Sequence, residues 1–210
     1  MSFASIGNRR TFLSGVKHIS TVDAKIRRLI KKHGPIEFRT RGFPFESLVR
    51  SIIGQQLSGM AARSIYAKLK VMVQSEHIEP QTLHSLSTLR LRKAGVSPQK
   101  IRYLKDLSAR VIEGQLDLED LRNRSDDEVV EVLDEVKGIG PWTAHMFLLF
   151  TLGRTDVLPV DDLGIRTAVR QVYGLRHLPN ADKIKELARK WHPFCSVASL
   201  YLWRAKDSRK

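Results

Sequence analysis

The chain has 210 residues, of which 42% are hydrophobic and 28% are charged, a composition that excludes a disordered protein and allows a substantial core. Lys and Arg number 36 against 22 Asp and Glu, giving a formal net charge of +14, which favours a polyanionic partner such as nucleic acid or simply a well-solvated surface. The single cysteine, Cys195, excludes internal disulfides and cysteine-held clusters. The histidines show no metal-ligand spacing, and no apolar run is long enough to span a membrane.

Helical periodicity recurs along the chain, and no convincing pair of alternating strand patterns is present, so the sequence predicts an all-α fold. We expect two lobes, with a site in the cleft between them. Residues 1–19 are interpreted as an arm with scattered basic side chains, and a helix is expected from about Ser20 to Lys32, where His33-Gly-Pro35 ends it. Further helices are expected near 44–53, 61–72, 98–114, 125–136, 141–152, 162–173, 180–190 and 195–206.

Two polar segments interrupt the helical pattern in the first half of the chain. The first is Gly54-Gln-Gln-Leu-Ser-Gly59, a loop bounded by glycines between two helices. The second is Ser97-Pro-Gln-Lys100, where a serine cap is followed by proline in the first helical turn, as is typical of a helix start. From the residues alone, each is either an ordinary surface turn or a place where a ligand binds.

The strongest local signal is a short turn between two helices. Ser125-Asp-Asp-Glu128 is a capping box that predicts the first helix, and Gly138-Ile-Gly-Pro141 leads into the second. Glycines in such a turn let backbone N–H groups approach an anion without a Cβ in the way, and the following helix N-terminus adds a favourable dipole. In a basic protein this pattern indicates a phosphate-binding turn. The alternative is an ordinary turn with a glycine after the first helix.

A pair of carboxylates follows a short way downstream. Asp161 and Asp162 come after the extended segment Pro159-Val160 and directly before a predicted helix. One aspartate at such a position usually caps the helix. Because carboxylates and phosphates repel each other, the second acid beside a phosphate-binding turn indicates chemistry rather than simple binding.

Several separated motifs, in this order, resemble those of the helix-hairpin-helix DNA glycosylases, and within them the 3-methyladenine DNA glycosylase II group. The resemblance implies an all-α, two-lobed domain over residues 20–210, with its hairpin at about 129–148 and an interlobe cleft. It extends from about Gly42 to Trp203 and rests on four segments: Leu48-Val-Arg-Ser-Ile-Ile-Gly-Gln-Gln-Leu-Ser58, the hairpin, Pro159-Val-Asp-Asp-Leu-Gly-Ile-Arg166, and Trp191-His-Pro-Phe-Cys-Ser-Val-Ala-Ser-Leu-Tyr-Leu-Trp203.

The resemblance implies a monofunctional DNA glycosylase that hydrolyses the N-glycosidic bond of alkylated purines, of the 3-methyladenine and 7-methylguanine type, in base excision repair. The catalytic carboxylate of the family falls on Asp162, which leaves Asp161 as the expected helix cap. Trp142 stands where bifunctional relatives hold a lysine. Tryptophan cannot form a Schiff base, so we expect water as the nucleophile and no lyase activity. With one cysteine, the iron–sulfur cluster of some relatives is excluded, and no cofactor or metal is expected.

The remaining site residues are also implied by the resemblance. Aromatic walls would stack on the electron-poor base, the hairpin would hold a DNA phosphate, the polar loop would plug the gap left by the extruded base, and the second helix start would act as a second phosphate clamp. The base pocket comprises Trp142, Trp203 and Met146, and the DNA-binding hairpin comprises Lys137, Gly138, Ile139, Gly140 and Thr143. The plug comprises Gln55, Gln56, Leu57 and Ser58, and the second clamp comprises Ser97 and Lys100.

The expected partner is double-stranded DNA that contains alkylated bases or abasic sites. We expect a soluble monomer that does not bind membranes and acts inside the cell, in the nucleus if the source is a eukaryote.

Three departures from the family pattern support a second hypothesis. Met146 stands where members often have an aromatic residue, Cys195 where they often have arginine, and Ser58 is small for a wedge. A protein with these changes could bind damaged or abasic DNA while excising little or nothing. A plain helix-hairpin-helix binding module would explain the charge, but not the combination of Asp162, Trp142 and Trp203.

Overall fold

The computed structural model describes residues 5–208, and within that range every regular element is helical, apart from an isolated bridge between Ser5 and Arg154. The predicted all-α fold is confirmed. Its α-helices are α1 (Arg9–Val22), α2 (Ala24–His33), α3 (Pro44–Gly54), α4 (Gly59–Val73), α5 (Pro80–Ser85), α6 (Thr88–Lys93), α7 (Pro98–Ile112), α8 (Asp126–Asp134), α9 (Pro141–Phe147), α10 (Leu163–Tyr173), α11 (Ala181–Ala188) and α12 (Cys195–Asp207).

The described chain divides into two compact units. The first is the continuous stretch Arg41–Phe147, and the second combines residues 5–40 with residues 148–208. None of the helices in residues 5–208 has both the length and the apolar character needed to cross a bilayer.

The first unit is organised around α3. The apolar face predicted for this helix is buried, with Phe45, Leu48, Val49, Ile52 and Ile53 all shielded from solvent. Burying a side chain of this size stabilises the fold by about 1.5–3 kcal/mol. Because α3 packs against α4, α7 and α9, the same group of packed helices carries the loop that follows α3 and the turn that precedes α9.

The second unit is organised around α12, which is buried on nearly all sides as expected for a core helix. It packs against α1, α2 and α10. The carboxylate of Asp23, only 1% exposed, accepts hydrogen bonds from the Trp191 indole and the Tyr173 hydroxyl. These contacts connect the junction between α1 and α2 to the C-terminal end of α10 and to the segment that precedes α12.

The N-terminal region differs from the predicted arm. Residues 1–4 lie outside the described residues, but α1 begins at Arg9 and buries Phe12 and Ile19. Its central Gly15 allows a close approach, since a Cβ there would lie 2.8 Å from side-chain atoms of Phe194 and Val197. Glycine has a low helix propensity, which is why the sequence pattern concealed this helix. The single helix predicted from Ser20 is therefore two helices.

Candidate functional site

The predicted capping box opens the helix before the glycine turn. The Ser125 hydroxyl accepts a hydrogen bond from the Glu128 backbone N–H, and the Glu128 carboxylate accepts one from the Ser125 N–H at 2.7 Å. This reciprocal arrangement satisfies two donors that a helix N-terminus leaves without intrahelical partners. It starts α8 at Asp126 and fixes the helix–turn–helix order predicted from the sequence.

The two glycines of the turn have different roles. Gly138 has φ +82°, and a Cβ there would overlap the ring of Tyr103, so both backbone conformation and packing require glycine. At Gly140, in contrast, a Cβ would have no atom within 4 Å. The packing of the unit therefore does not require glycine at position 140, and the backbone there is open to the approach of another molecule.

The turn is held in place from α7. The Asp106 carboxylate accepts a hydrogen bond from the Lys137 backbone N–H at 3.1 Å and pairs with the Lys137 ammonium at 3.2 Å. Burial alone would raise the pKa of Asp106, but these hydrogen bonds outweigh it and lower that pKa. Neither Tyr103 nor Asp106 was predicted from the sequence as a site residue. Their spacing of three residues on one helix was the available signal.

The other hairpin residues divide into buried anchors and exposed groups. Ile139 and Thr143 are each 3% exposed and pack into the core of the first unit. Trp142 is 47% exposed, so it is not the plain core residue that tryptophan usually is. Met146 is half-buried one turn further along α9.

The loop predicted as a plug is tied to the hairpin. The Gln55 side-chain amide donates to the Gly138 carbonyl at 2.7 Å, and the Ser58 hydroxyl accepts from the Ala61 N–H and caps α4. Gln56 is exposed and has φ +56°, and Leu57 is 40% exposed. Of the four predicted plug residues, Gln55 and Ser58 therefore bind within the protein, and Gln56 and Leu57 form the exposed tip.

The second predicted clamp also has an internal role. The Ser97 hydroxyl caps α7 by accepting from the Lys100 N–H. The Lys100 ammonium donates to the carbonyl oxygens of Ile53 and Gln55, at 2.8 and 2.7 Å, and its burial lowers its pKa. This side chain therefore supports the C-terminus of α3 and the start of the loop.

The acidic pair lies in the second unit, at the start of α10. Asp162 is the N-cap: its Oδ1 accepts a hydrogen bond from the Ile165 N–H at 2.8 Å and another from the Trp203 indole Nε1 at 2.9 Å. The expectation that Asp161 caps this helix is wrong, because the helix begins at Leu163 and the cap is the residue directly before it. Asp161 is exposed.

Two further residues shape the surroundings of Asp162. A Cβ on Gly164 would lie 2.8 Å from Asp162 Oδ1 and 3.1 Å from the Trp203 ring. Phe150 stacks on Trp203, with ring centroids 5.9 Å apart and an interplanar angle of 27°. The carboxylate is thus fixed beside an aromatic pair, and the absence of a side chain at position 164 permits that close arrangement. Neither Gly164 nor Phe150 was predicted from the sequence.

One group of potential metal ligands occurs in the described residues, although the histidine spacing did not predict a metal site. A carboxylate oxygen of Asp156, a ring nitrogen of His192 and the sulfur of Cys195 all lie within 4.8 Å of one another. The available signal was the His-x-x-Cys spacing rather than the spacing between histidines.

Comparisons with known proteins agree with these features. The family model described as HhH-GPD superfamily base excision DNA repair protein matches residues 49–194. The chain is 32% identical over 192 residues to DNA-3-methyladenine glycosylase 1 of Schizosaccharomyces pombe, covering 89% of this chain and 84% of that protein.

Two solved structures are similar over nearly the whole chain. The DNA-3-methyladenine glycosidase of Bacillus halodurans has a TM-score of 0.83 and 36% identity, covering 100% of this chain and 94% of that one. The 3-methyladenine DNA glycosylase of S. pombe in complex with abasic DNA also has a TM-score of 0.83, with 31% identity and coverage of 92% and 97%.

Proposed function

The chain belongs to the HhH-GPD superfamily of base excision DNA repair proteins, and we propose that it is a monofunctional DNA glycosylase that removes alkylated purines from double-stranded DNA. The substrates are bases of the 3-methyladenine and 7-methylguanine type. Similar proteins that bear the name DNA-3-methyladenine glycosylase support this substrate class. The products are the free base and an abasic site.

The observation that carries the proposal is the fixed carboxylate of Asp162. A purine alkylated at N3 or N7 is already cationic, so it leaves as a neutral base without a general acid. The sugar then develops positive charge, which a preorganised carboxylate stabilises. Hydrogen bonds from the Ile165 N–H and the Trp203 indole hold Oδ1 in one orientation. The same carboxylate would orient the attacking water.

The first unit would hold the DNA backbone through the glycine turn. Lys137 is paired with Asp106, and Gly140 has open space where a side chain would lie. We infer that backbone N–H groups at the turn, rather than the lysine charge alone, receive a DNA phosphate. The net charge of +14 supplies the long-range attraction.

The target base must leave the duplex before it can react. The exposed tip, Gln56 and Leu57, would fill the vacated space. Trp142, exposed at the start of α9, and Trp203, stacked on Phe150, offer aromatic faces for an electron-poor base. Because Trp142 carries no amine, it forms no Schiff base, and the sugar–phosphate strand is left intact.

The proposed partner is duplex DNA with alkylated bases or abasic sites. The complex of the S. pombe relative with abasic DNA supports binding of the abasic product. We further expect the chain to act as a monomer, and to act in the nucleus if its source is a eukaryote.

The test is single-turnover incubation with duplex DNA that carries 7-methylguanine. We expect release of free base, together with a strand that breaks only after added alkali. Borohydride treatment should trap no protein–DNA adduct, because no lysine amine attacks the sugar. Strand cleavage without alkali, or a trapped adduct, would contradict the monofunctional assignment.

A second candidate is a damage-binding protein of the same fold. It is favoured by the use of Ser58 as a helix cap and by the buried thiol of Cys195, where members of the family often have arginine. Tight, salt-sensitive binding of abasic duplex without base release from any alkylated substrate would establish this candidate and overturn the proposed hydrolysis.

A further inference from the structure

A compact group of three side chains lies at the start of α12, in the second unit. His192 Nδ1 is 2.6 Å from Asp156 Oδ2, and Cys195 Sγ is 3.7 Å from His192 Nδ1 and 3.9 Å from Nε2. Together these side chains offer one oxygen, one nitrogen and one sulfur donor. From this arrangement we propose that Asp156, His192 and Cys195 bind a thiophilic divalent cation such as Zn²⁺.

The three donors are close enough for a tetrahedral ion to bridge them once the His192 ring turns. Zinc bonds of about 2.3 Å to sulfur and about 2.0–2.1 Å to imidazole nitrogen place the two ligands about 3.6 Å apart at tetrahedral angles. The observed separation of Sγ and Nδ1 is 3.7 Å, but Sγ is also 3.9 Å from Nε2, so the sulfur lies beside the ring and away from the direction of the Nδ1 lone pair. The carboxylate and imidazole are closer, because they share a hydrogen bond. Replacing that proton by an ion would widen the pair to about 3.3 Å. The exposed His192 side chain can turn to direct a ring nitrogen at the position between Asp156 Oδ2 and Cys195 Sγ.

The two segments that carry the ligands are already connected by hydrogen bonds. Asp156 Oδ1 accepts from the Cys195 N–H at 3.1 Å, which leaves Oδ2 as the ligand atom. The Ser196 hydroxyl donates to the Arg154 carbonyl and accepts from the Val157 N–H, and the Ser196 N–H donates to the Thr155 carbonyl. Supporting bonds of this kind orient metal ligands before the ion arrives.

Access to the ion would be from one side. The His192 side chain is 54% exposed and that of Asp156 is 33% exposed, whereas Cys195 is fully buried. Burial raises the pKa of the Cys195 thiol, with a further contribution from Asp156, so binding releases a proton. A solvent molecule on the open side would complete a four-coordinate shell.

The proposed role of the ion is to join two segments. Asp156 begins the stretch of chain that ends at Asp162, and Cys195 begins the helix that carries Trp203 two turns later. A bound ion would stabilise this connection by binding the folded state preferentially. It takes no part in base removal, so the site and the proposed reaction can fail independently.

Titration of the chelator-treated protein with Co²⁺ tests the proposal. Cys195 is the only thiol in the chain, so any thiolate-to-cobalt charge-transfer band must arise from this residue. We expect such a band in the near ultraviolet, together with visible bands of tetrahedral intensity, saturating at one equivalent and lost on addition of Zn²⁺. We also expect Zn²⁺ to raise the melting temperature.

Variants assign the band to the site. His192→Ala alters an exposed side chain and should fold, yet it should weaken Co²⁺ binding more than about 10-fold. Cys195→Ser should abolish the charge-transfer band. His177→Ala, at another exposed histidine, is the matched control and should bind as the parent does. Absence of the band in the parent, or equal Co²⁺ affinity in the parent and His192→Ala, would overturn the proposal.

Discussion

Two short turns of this protein each lead into a helix N-terminus, and they differ in whether a side chain of the turn caps that N-terminus. The turn before α9, in the first unit, reaches the helix through Gly140, which contributes no side chain. The turn before α10, in the second unit, ends in Asp162, whose own carboxylate caps the helix. A helix N-terminus attracts negative charge. One turn leaves that position open to an external anion, and the other supplies the anion itself.

Under the proposed function, the two units have different roles. Around the first turn, Tyr103 and Asp106 fix the backbone, which is the arrangement that the proposed phosphate binding requires. Around the second, the Trp203 indole and the absence of a side chain at Gly164 hold one carboxylate in place, which is the arrangement that the proposed catalytic role requires. Substitutions at the first turn should therefore alter stability and DNA affinity, and those at the second should alter the rate of base release.

Among the substitutions that keep the Asp162 carboxylate, the largest effect is expected from crowding it. In Gly164→Ala, a Cβ would lie 2.8 Å from Asp162 Oδ1, so the carboxylate or Trp203 must move. Displacement of a reacting group by about 1 Å can lower a rate about 10²-fold, and we expect a loss of this size in single-turnover base release. Binding of abasic duplex should be nearly unchanged. Gly42→Ala, where a Cβ meets nothing within 4 Å, is the control. A parent-like rate in Gly164→Ala would contradict the account.

The two glycines of the hairpin allow stability and binding to be separated. Gly138→Ala forces a side chain into the Tyr103 ring at φ +82° and should destabilise the protein by about 1–3 kcal/mol in urea unfolding. Gly140→Ala meets no such obstacle and should leave stability near that of the parent. If the open backbone at position 140 receives a phosphate, Gly140→Ala will weaken DNA binding. Unchanged affinity there would remove the phosphate assignment from this position.

A smaller effect is expected from Trp203→Phe. The substitution keeps a ring beside Phe150 and removes the indole N–H that donates to Asp162 Oδ1 at 2.9 Å. A hydrogen bond to a charged group contributes about 1.5–3 kcal/mol, and part of this is expected to appear as a roughly 10-fold slower base release. The double variant Trp203→Phe with Asp162→Asn tests whether Trp203 acts through Asp162. If it does, the losses of base-release rate in the two single variants should be far from additive in the double variant.

The smallest effect concerns Lys100, whose ammonium donates to the Ile53 and Gln55 carbonyls. Lys100→Ala should cost about 1 kcal/mol of stability. The slope of log affinity for DNA against log salt should remain that of the parent. Loss of one phosphate contact would instead lower the slope by about 0.9. A reduced slope in Lys100→Ala would show that Lys100 contacts a DNA phosphate, as the sequence predicted.

Much of the helical framework could be predicted from local signals. The capping box at Ser125, the start at Ser97-Pro98 and the apolar face of α3 each depend on residues within one or two turns. The structure confirms all three. Such signals are reliable because side chains three or four residues apart lie on one helix face.

Other features depended on contacts that the sequence does not reveal. The Lys100 ammonium meets a carbonyl 47 residues away, and the Trp203 indole meets a carboxylate 41 residues away. The cap at Asp162 could not be chosen over Asp161 on residue type, because only the position of the first helical residue decides between them. The group formed by Asp156, His192 and Cys195 also requires tertiary structure to bring two segments together.

The central claim is that the carboxylate of Asp162 promotes loss of the base. Asp162→Asn tests it most directly, because asparagine caps a helix as well as aspartate does and its side-chain oxygen can still accept from the Ile165 N–H. Asp161→Asn, at the exposed neighbour, is the matched control. Single-turnover release of 7-methylguanine should fall about 10²–10⁴-fold in Asp162→Asn and stay at the parent rate in Asp161→Asn. Release that survives in Asp162→Asn, or is lost in Asp161→Asn, would contradict the account.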